Sequence, residues 1–596
     1  MRAPRAMPRI VEEETWADGA AADAVIASRK TSGLTFDATR AWLRCDVMAP
    51  MERLGLVALL LVLVGPALAV PATAQRFLPD DPLWTDPDSI DMPYPEPQPD
   101  ERERGPFEFL ERTFGSPGEH TGPALNVNTV GGVPNSSWYT NRHYRVPMSE
   151  AELRRGPNEE PGPSMHARWR VVRLIEKSGL PGAIVQDATD RRFNILFDAP
   201  AHPEMATGAA MVSSRLLYAL GYNVPHHWLR SIQAEQLSPA SDSVTQSDVD
   251  SLLAQAHQRS DGTHRVLVTR IPGVERRVGP FSFHGTRADD GNDIFPHEAR
   301  RELRGLRVIA AWMDHSSTAR RHTVDVGVRE EGRRFVRHYL TDLRLTLGSG
   351  GATPVPRWVG HEHVLELDQV FRRIGTLGLS GGEWAEKTLP EWRAVGQFRA
   401  RYFVPNEWRP KWPNPAFERC DAADAFWAAK QVRHFSESEL EAIVATAEYS
   451  SSEAADYMVQ TLMQRRDSIA QAYLHWGGGL DRFAVREGAL TFHDLRAKYG
   501  YAPDSVRRAV AWHVYDNHRE QVGELVREGT SSRERIPLPS GRTPSFLRAT
   551  LRTPGHGTTR VFLRKIPSSA ASTEAAPYEV VGLERSEDGP PGPSSE

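Results

Sequence analysis

The chain has 596 residues, with 72 Lys and Arg against 77 Asp and Glu, a formal net charge of −5 and 40% hydrophobic residues. That composition excludes a wholly disordered chain and a multi-span membrane protein, and its near-neutral balance excludes a global field that steers nucleic acid. The length exceeds one ordinary domain, so two or three units around a sizeable core are expected.

The first recognisable segment starts at Met51. Met51-Glu52-Arg53 is followed by an apolar run from Leu54 to Val64 and then by Ala72-Thr73-Ala74. A charged start, an apolar stretch and a small-residue cleavage site predict a signal peptide over residues 48–74, too short for a membrane span. Residues 1–47 then read as a spurious upstream extension, with Met48 or Met51 as the start. The protein is expected to be exported, periplasmic or secreted. Cys45 falls upstream of the signal, so Cys420 stands alone, with no partner for an internal disulfide. Residues 75–106 are rich in Pro and acid and predict an extended tether. A globular core is expected over 107–480. Its first part is a loop with aromatic anchors at 124–147, where Asn135-Ser136-Ser137 fits a glycosylation sequon.

Period-two runs at Trp169–Ile175, Ala183–Asp187 and Arg192–Asp198 predict a small antiparallel sheet. Met205, Ala209, Val212, Leu216 and Leu220 recur at helical spacing and predict a helix over Glu204–Leu220, closed by Gly221. Residues 235–262 are polar and read as an insertion. A strand at Val266–Ile271 precedes a loop, and then a helix from Pro296 to Met313. A polar loop, Asp314 to His322, leads to strands at Val324–Val328 and Phe335–Leu340, then to Thr341-Asp342-Leu343-Arg344. Residues 422–475 read as mostly helical. Residues 481–585 predict a small β-rich appendage with a helix near Ser505–Tyr515 and strands at Phe546–Leu551 and Thr559–Leu563. Residues 586–596 are expected to be disordered.

Sheet, helix, strand, long helix, polar loop, two strands and an Asp form the element order of a kinase-like fold. Three segments carry a more specific likeness: Phe197-Asp198-Ala199-Pro200 with Pro203-Glu204-Met205-Ala206, Ala219 to Pro225, and His338-Tyr339-Leu340-Thr341-Asp342. Across roughly residues 165–480 the chain resembles a group of secreted bacterial proteins whose core is similar to HipA-type and CotH-type kinases. The resemblance implies an α+β, two-lobed core, with a small antiparallel sheet plus helix followed by a mainly helical lobe. It also implies ATP and Mg as cofactors if phosphoryl transfer survives. The expected residues are largely replaced. Leu196 stands at the strand position of the phosphate-binding Lys. If Ser317 replaces the catalytic Asp, His322 replaces the metal-binding Asn. If Asp314 is that Asp, Ala319 replaces the Asn. Asp342 alone fits its slot, with Leu343-Arg344 after it.

Serine in place of a carboxylate base accepts no substrate proton at neutral pH, and Leu in place of Lys removes the charge on the phosphates. The expectation is therefore a catalytically degenerate, pseudokinase-type core with a binding or structural role in the cell envelope. Its partner is an unidentified envelope protein or glycan, not nucleic acid. The enzyme alternative is an atypical metal-dependent phosphotransferase, with Asp314 and Asp342 as catalytic residues and Asp342 and His322 as metal ligands. The third alternative is glycan or peptide binding on Trp408 and Trp412, whose aromatic faces suit stacking. Against it stands a Pro-rich loop pinned to the core by two Trp side chains. His361-Glu362-His363 lacks the spacing of a helical zinc site.

Overall fold

A computed structural model describes residues 75–98, 105–240, 243–366, 383–386, 388–503, 505–541, 544–567 and 578–587. The extension 1–47, the signal peptide 48–74 and residues 588–596 of the tail lie outside the described residues, as do residues 99–104. The protein is α+β.

Two short helices, α1 (Gly105–Phe114) and α2 (Glu150–Arg155), precede the first sheet. That sheet contains β1 (Trp169–Lys177), β2 (Leu180–Gln186), β3 (Arg192–Phe197), β4 (His226–Ile232), β5 (Leu237–Pro239) and β6 (His264–Arg270), in the order β4-β6-β3-β2-β1-β5. All pairs are antiparallel except β1 with β5. Ser178 and Gly179, both at positive φ, make the tight turn between β1 and β2. Helix α3 (Met205–Ala219) covers one face, and every residue of it but Tyr218 is buried. Helix α4 (Gln246–Gln255), capped by Thr245, forms within the polar insertion and covers the apolar cluster on the other side.

A second region is helical. It comprises α5 (Arg301–Met313), α6 (Pro415–Glu418), α7 (Ala422–Val432), α8 (Glu437–Val444) and α9 (Ser452–Tyr473). Leu303, Leu306, Ile309 and Ala310 share the main core with Phe426, Ile443, Met458, Leu462 and Ile469. Arg465 donates to the carbonyls of Ala311 and Trp312, satisfying acceptors left over where α5 ends. Gly305 lets α5 approach α7: a Cβ there would lie 2.7 and 2.8 Å from ring atoms of Trp427. Gly305→Ala is therefore expected to destabilise the protein by about 1–3 kcal/mol, although alanine is the better helix former. Urea unfolding checks this, and a more stable variant would contradict the packing argument.

Strands β7 (Arg277–Gly279), β8 (Thr323–Glu330) and β9 (Arg333–Leu340) form a separate sheet that carries the chain to Asp342. The C-terminal region holds β10 (Leu480–Arg486), β11 (Ala489–Asp494), the four-residue helix α10 (Leu495–Lys498), β12 (Arg508–Asp516), β13 (Gln521–Ser531), β14 (Arg535–Pro537), β15 (Phe546–Thr553), β16 (Gly557–Lys565) and β17 (Tyr578–Ser586). Two sheets result, β10-β11-β14 and β13-β12-β15-β16-β17. The helix expected near Ser505–Tyr515 is the strand β12. Val510 and Trp512 face a core shared with Leu547, Ala549 and Leu551, so sheet pairing overrides the Ala- and Arg-rich helical propensity.

The segment expected to be a tether is extended but docked. Phe77 inserts among Tyr515, Phe562 and Val581 of the C-terminal sheet. Asp86 reaches Arg300 and Asp88 accepts from Ser137. Met92 and Gln98 donate backbone hydrogen bonds to the carbonyls of Arg334 and Val278. Proline removes internal donors, so such a chain takes its partners from the surface it crosses. It straps the C-terminal sheets, the helical region and the β7-β8-β9 sheet together.

Candidate functional site

A cleft lies where the six-stranded sheet faces the segment after β9. It is lined by Lys177 from β1, Asn194 and Leu196 from β3, Thr269 from β6, and Asp342 and Arg344. The space left is about 30 Å³, room for water. Small-molecule sites span about 300–1,000 Å³.

Leu196 does not meet a ligand. It packs with Ile175, Leu180 and Ala206. Asp342 sits in the left-handed region (φ 58°) directly after β9, and the short turn Leu343–Leu345 brings Arg344 back onto it. The Arg344 guanidinium donates to Asp342 Oδ1 and, at 3.2 Å, to Ser178 Oγ. Oδ2 of Asp342 lies 3.0 Å from His322 Nδ1, and Nε2 of the same ring lies 3.2 Å from Arg321 Nε. An arginine only donates, so His322 Nε2 accepts and Nδ1 carries the proton given to Asp342. Both ring nitrogens and both carboxylate oxygens are thus engaged within the chain.

The polar loop is equally occupied. Asp314 accepts from Trp408 Nε1 at 2.9 Å, and the Ser317 hydroxyl takes the Lys411 ammonium at 3.3 Å. Lys411 is tied to the loop again through its backbone N–H, given to the Ser316 carbonyl. Burial lowers the Lys411 pKa, against the opposing pull of Asp314. His315 is buried beside His322 and Lys411, and burial first, then those two neighbours, hold it near 3. Arg321 lies over the Trp412 ring at 4.6 Å, and Phe109 packs on that ring as well.

Two regions that looked separate are therefore one. The stretch from Trp408 to Asn414 brackets the loop from Asp314 to His322. Trp408 is buried and its N–H is engaged, so it offers no stacking face. Trp412 is half-buried between Arg321 and Phe109. This corrects the expectation of a glycan or peptide platform on the two Trp residues. Of the expected metal ligands, His322 and Asp342 do come together, but as a hydrogen-bonded pair. Among the described residues no group of three His, Cys, Asp or Glu is placed to hold a metal ion. With Arg344 on the carboxylate and little space beside it, these residues do not fit a nucleotide with its metal. Burial pushes the Cys420 thiol up to about 12, so it is no thiolate nucleophile at neutral pH.

The residues that carried the kinase likeness tie β3, α3 and β6 to the segment before α9. Asp198 accepts from the backbone N–H and hydroxyl of Thr207, whose hydroxyl also accepts from Arg265. Arg265 reaches the carbonyls of Ala447 and Glu448, and Glu204 accepts from Ser450. Lys177, Arg344 and Lys411 were not singled out in the sequence. Lys177 had a signal: it is two residues past buried Ile175 on the same strand face.

Compared with known protein families, with curated proteins and with solved structures, the chain matches none. Among the described residues no helix is long and apolar enough to cross a membrane.

Proposed function

We propose that this is an exported bacterial protein with a kinase-like two-lobed core that does not transfer phosphoryl groups, and that it acts by binding or as a structural part of the cell envelope. The observation that carries the reading is the closed constellation at Asp342, whose carboxylate is taken by Arg344 and His322 while Lys411 occupies Ser317. A carboxylate held by its own arginine is no open metal ligand, and a serine facing an ammonium is no base. The test is thermal unfolding of the full chain with and without ATP and Mg²⁺ or Mn²⁺. A ligand at about 100 times its Kd stabilises the native state by roughly 2.7 kcal/mol, which moves a midpoint by several degrees. No shift and no phosphoryl transfer are expected. A metal-dependent shift that disappears in Asp342→Asn would overturn the proposal.

One observation favours the alternative of an atypical phosphotransferase. Lys177 lines the cleft beside Leu196, so a cation stands close to the place where the family's lysine is missing. On that reading Arg344 is a latch on Asp342. Arg344→Ala then gives ATP- and Mg²⁺-dependent stabilisation that Lys177→Ala abolishes. Absence of nucleotide binding in Arg344→Ala disposes of this alternative.

A further inference from the structure

The C-terminal sheets flank a half-open cavity that owes nothing to the kinase-like reading. Strand β13 pairs with β12 in the five-stranded sheet, whereas β14, only a few residues on, pairs with β11 in the other sheet. The chain crosses between sheets at Ser532–Glu534 and leaves about 500 Å³ between them, within the range of small-molecule sites. Trp512, Arg527, Arg533 and Arg535 line it, with Thr530 and Ser532 supplying hydroxyls and Ile536 an apolar wall.

Trp512 is fully buried, yet its indole N–H has no acceptor among the described residues. The indole nitrogen is itself closed to solvent, so the tryptophan backs the cavity wall and does not reach into the space. The charges of the lining favour an anion. Arg527 donates to the Pro537 carbonyl and Arg535 pairs with Glu487 at 3.0 Å, which holds both at the wall. The Arg533 side chain has no hydrogen bond or ion pair among the described residues. Glu528 is the one carboxylate in the lining against three guanidinium groups. Guanidinium groups match carboxylate and phosphate oxygens two at a time, and a walled cavity concentrates their field.

We infer that this cavity binds a small organic anion, a carboxylate or phosphate carried on a hydroxylated body of about monosaccharide size. Arg533 donates to the anionic group, with Arg527 and Arg535 beside it, and Thr530 and Ser532 face the body. Isothermal titration calorimetry of the full chain with glucuronate, with glucose 6-phosphate and with glucose tests this. Saturable binding of at least one anionic sugar at millimolar concentration is expected, with glucose weaker by about tenfold or more. Which anion binds distinguishes a carboxylate site from a phosphate site. Arg533→Gln is expected to lower the affinity about tenfold while leaving the unfolding midpoint unchanged, because its side chain is exposed. If neither anion gives saturable heat, or if the affinity survives Arg533→Gln, the inference is wrong.

Discussion

Replacing Arg300 with Met is expected to destabilise the protein by about 3–5 kcal/mol, more than any other single change considered. Arg300 is wholly buried, and its guanidinium meets Asp86 of the strap at 3.0 Å, Glu302 at 3.4 Å and Asp293 at 3.9 Å. It also lies 4.9 Å from the Trp138 ring. Burial opposes the charge, but Glu302, Asp86, Asp293 and Asp88 together raise its pKa above the ordinary value. A neutral side chain of similar length keeps much of the volume and leaves those carboxylates uncompensated in a dry site. The loss therefore exceeds the value of the pair itself. Urea unfolding near neutral pH measures it. Asp86→Asn in the Arg300→Met background should recover part of the loss, because it removes one of the orphaned charges. The strap should also become open to protease, since Asp86 and Asp88 are its central anchors. A loss under about 1 kcal/mol, the value of a surface pair, would mean the network is not what holds the strap.

The strap also shows what the sequence could and could not reveal. Pro-rich spacing correctly indicates extended backbone, because fixed φ and missing donors are local properties. Docking is not local: it depends on Arg300, Arg334 and Tyr515, which lie far along the chain. The same division holds in the core. Helices α3, α5 and α9 and the hairpin β8–β9 were legible from periodicity, since each buries a defined face. Strand β12 was not, because its Ala and Arg content favours a helix and only pairing with β13 and β15 decides otherwise. At the candidate site, Asp342 and His322 were found as residue types in the right order. Their state was not legible. Arg344 folds back through a left-handed residue, and Lys411 arrives from nearly a hundred residues downstream. Glu204 was legible only as the start of a helix. Its actual partner, Ser450, is a contact that only tertiary packing creates.

Acid is expected to weaken the fold from about pH 6.5 downward, and buried histidines are the cause. Burial holds His226 near 4, and His227 and His315 near 3, against an ordinary value of 6.5. Arg215 adds to the effect at His227, and His322 and Lys411 at His315. Below 6.5 the unfolded chain takes up protons that the folded chain refuses, so stability is full above 6.5 and falls as the pH drops toward the folded values. Each unit costs about 1.4 kcal/mol per group, so near pH 5 the three together cost on the order of 6 kcal/mol. Six carboxylates whose folded pKa is raised oppose this, Asp88, Asp198, Asp290, Glu302, Glu418 and Asp424, as does His297. Asp88 is raised to about 6 by burial and by Asp86, and Asp424 to about 6 by burial against the pull of Arg301. Their folded forms bind protons first, which returns on the order of 3 kcal/mol by about pH 5. Burial also holds His434 near 4, and the histidines are expected to prevail, so that stability falls with acidification. Urea midpoints across this range should fall steadily with acidification. His227→Gln should flatten the slope, because it removes one of the strongest contributors. A midpoint that holds or rises between pH 6.5 and pH 5 would show that the carboxylates, not the histidines, govern the acid response.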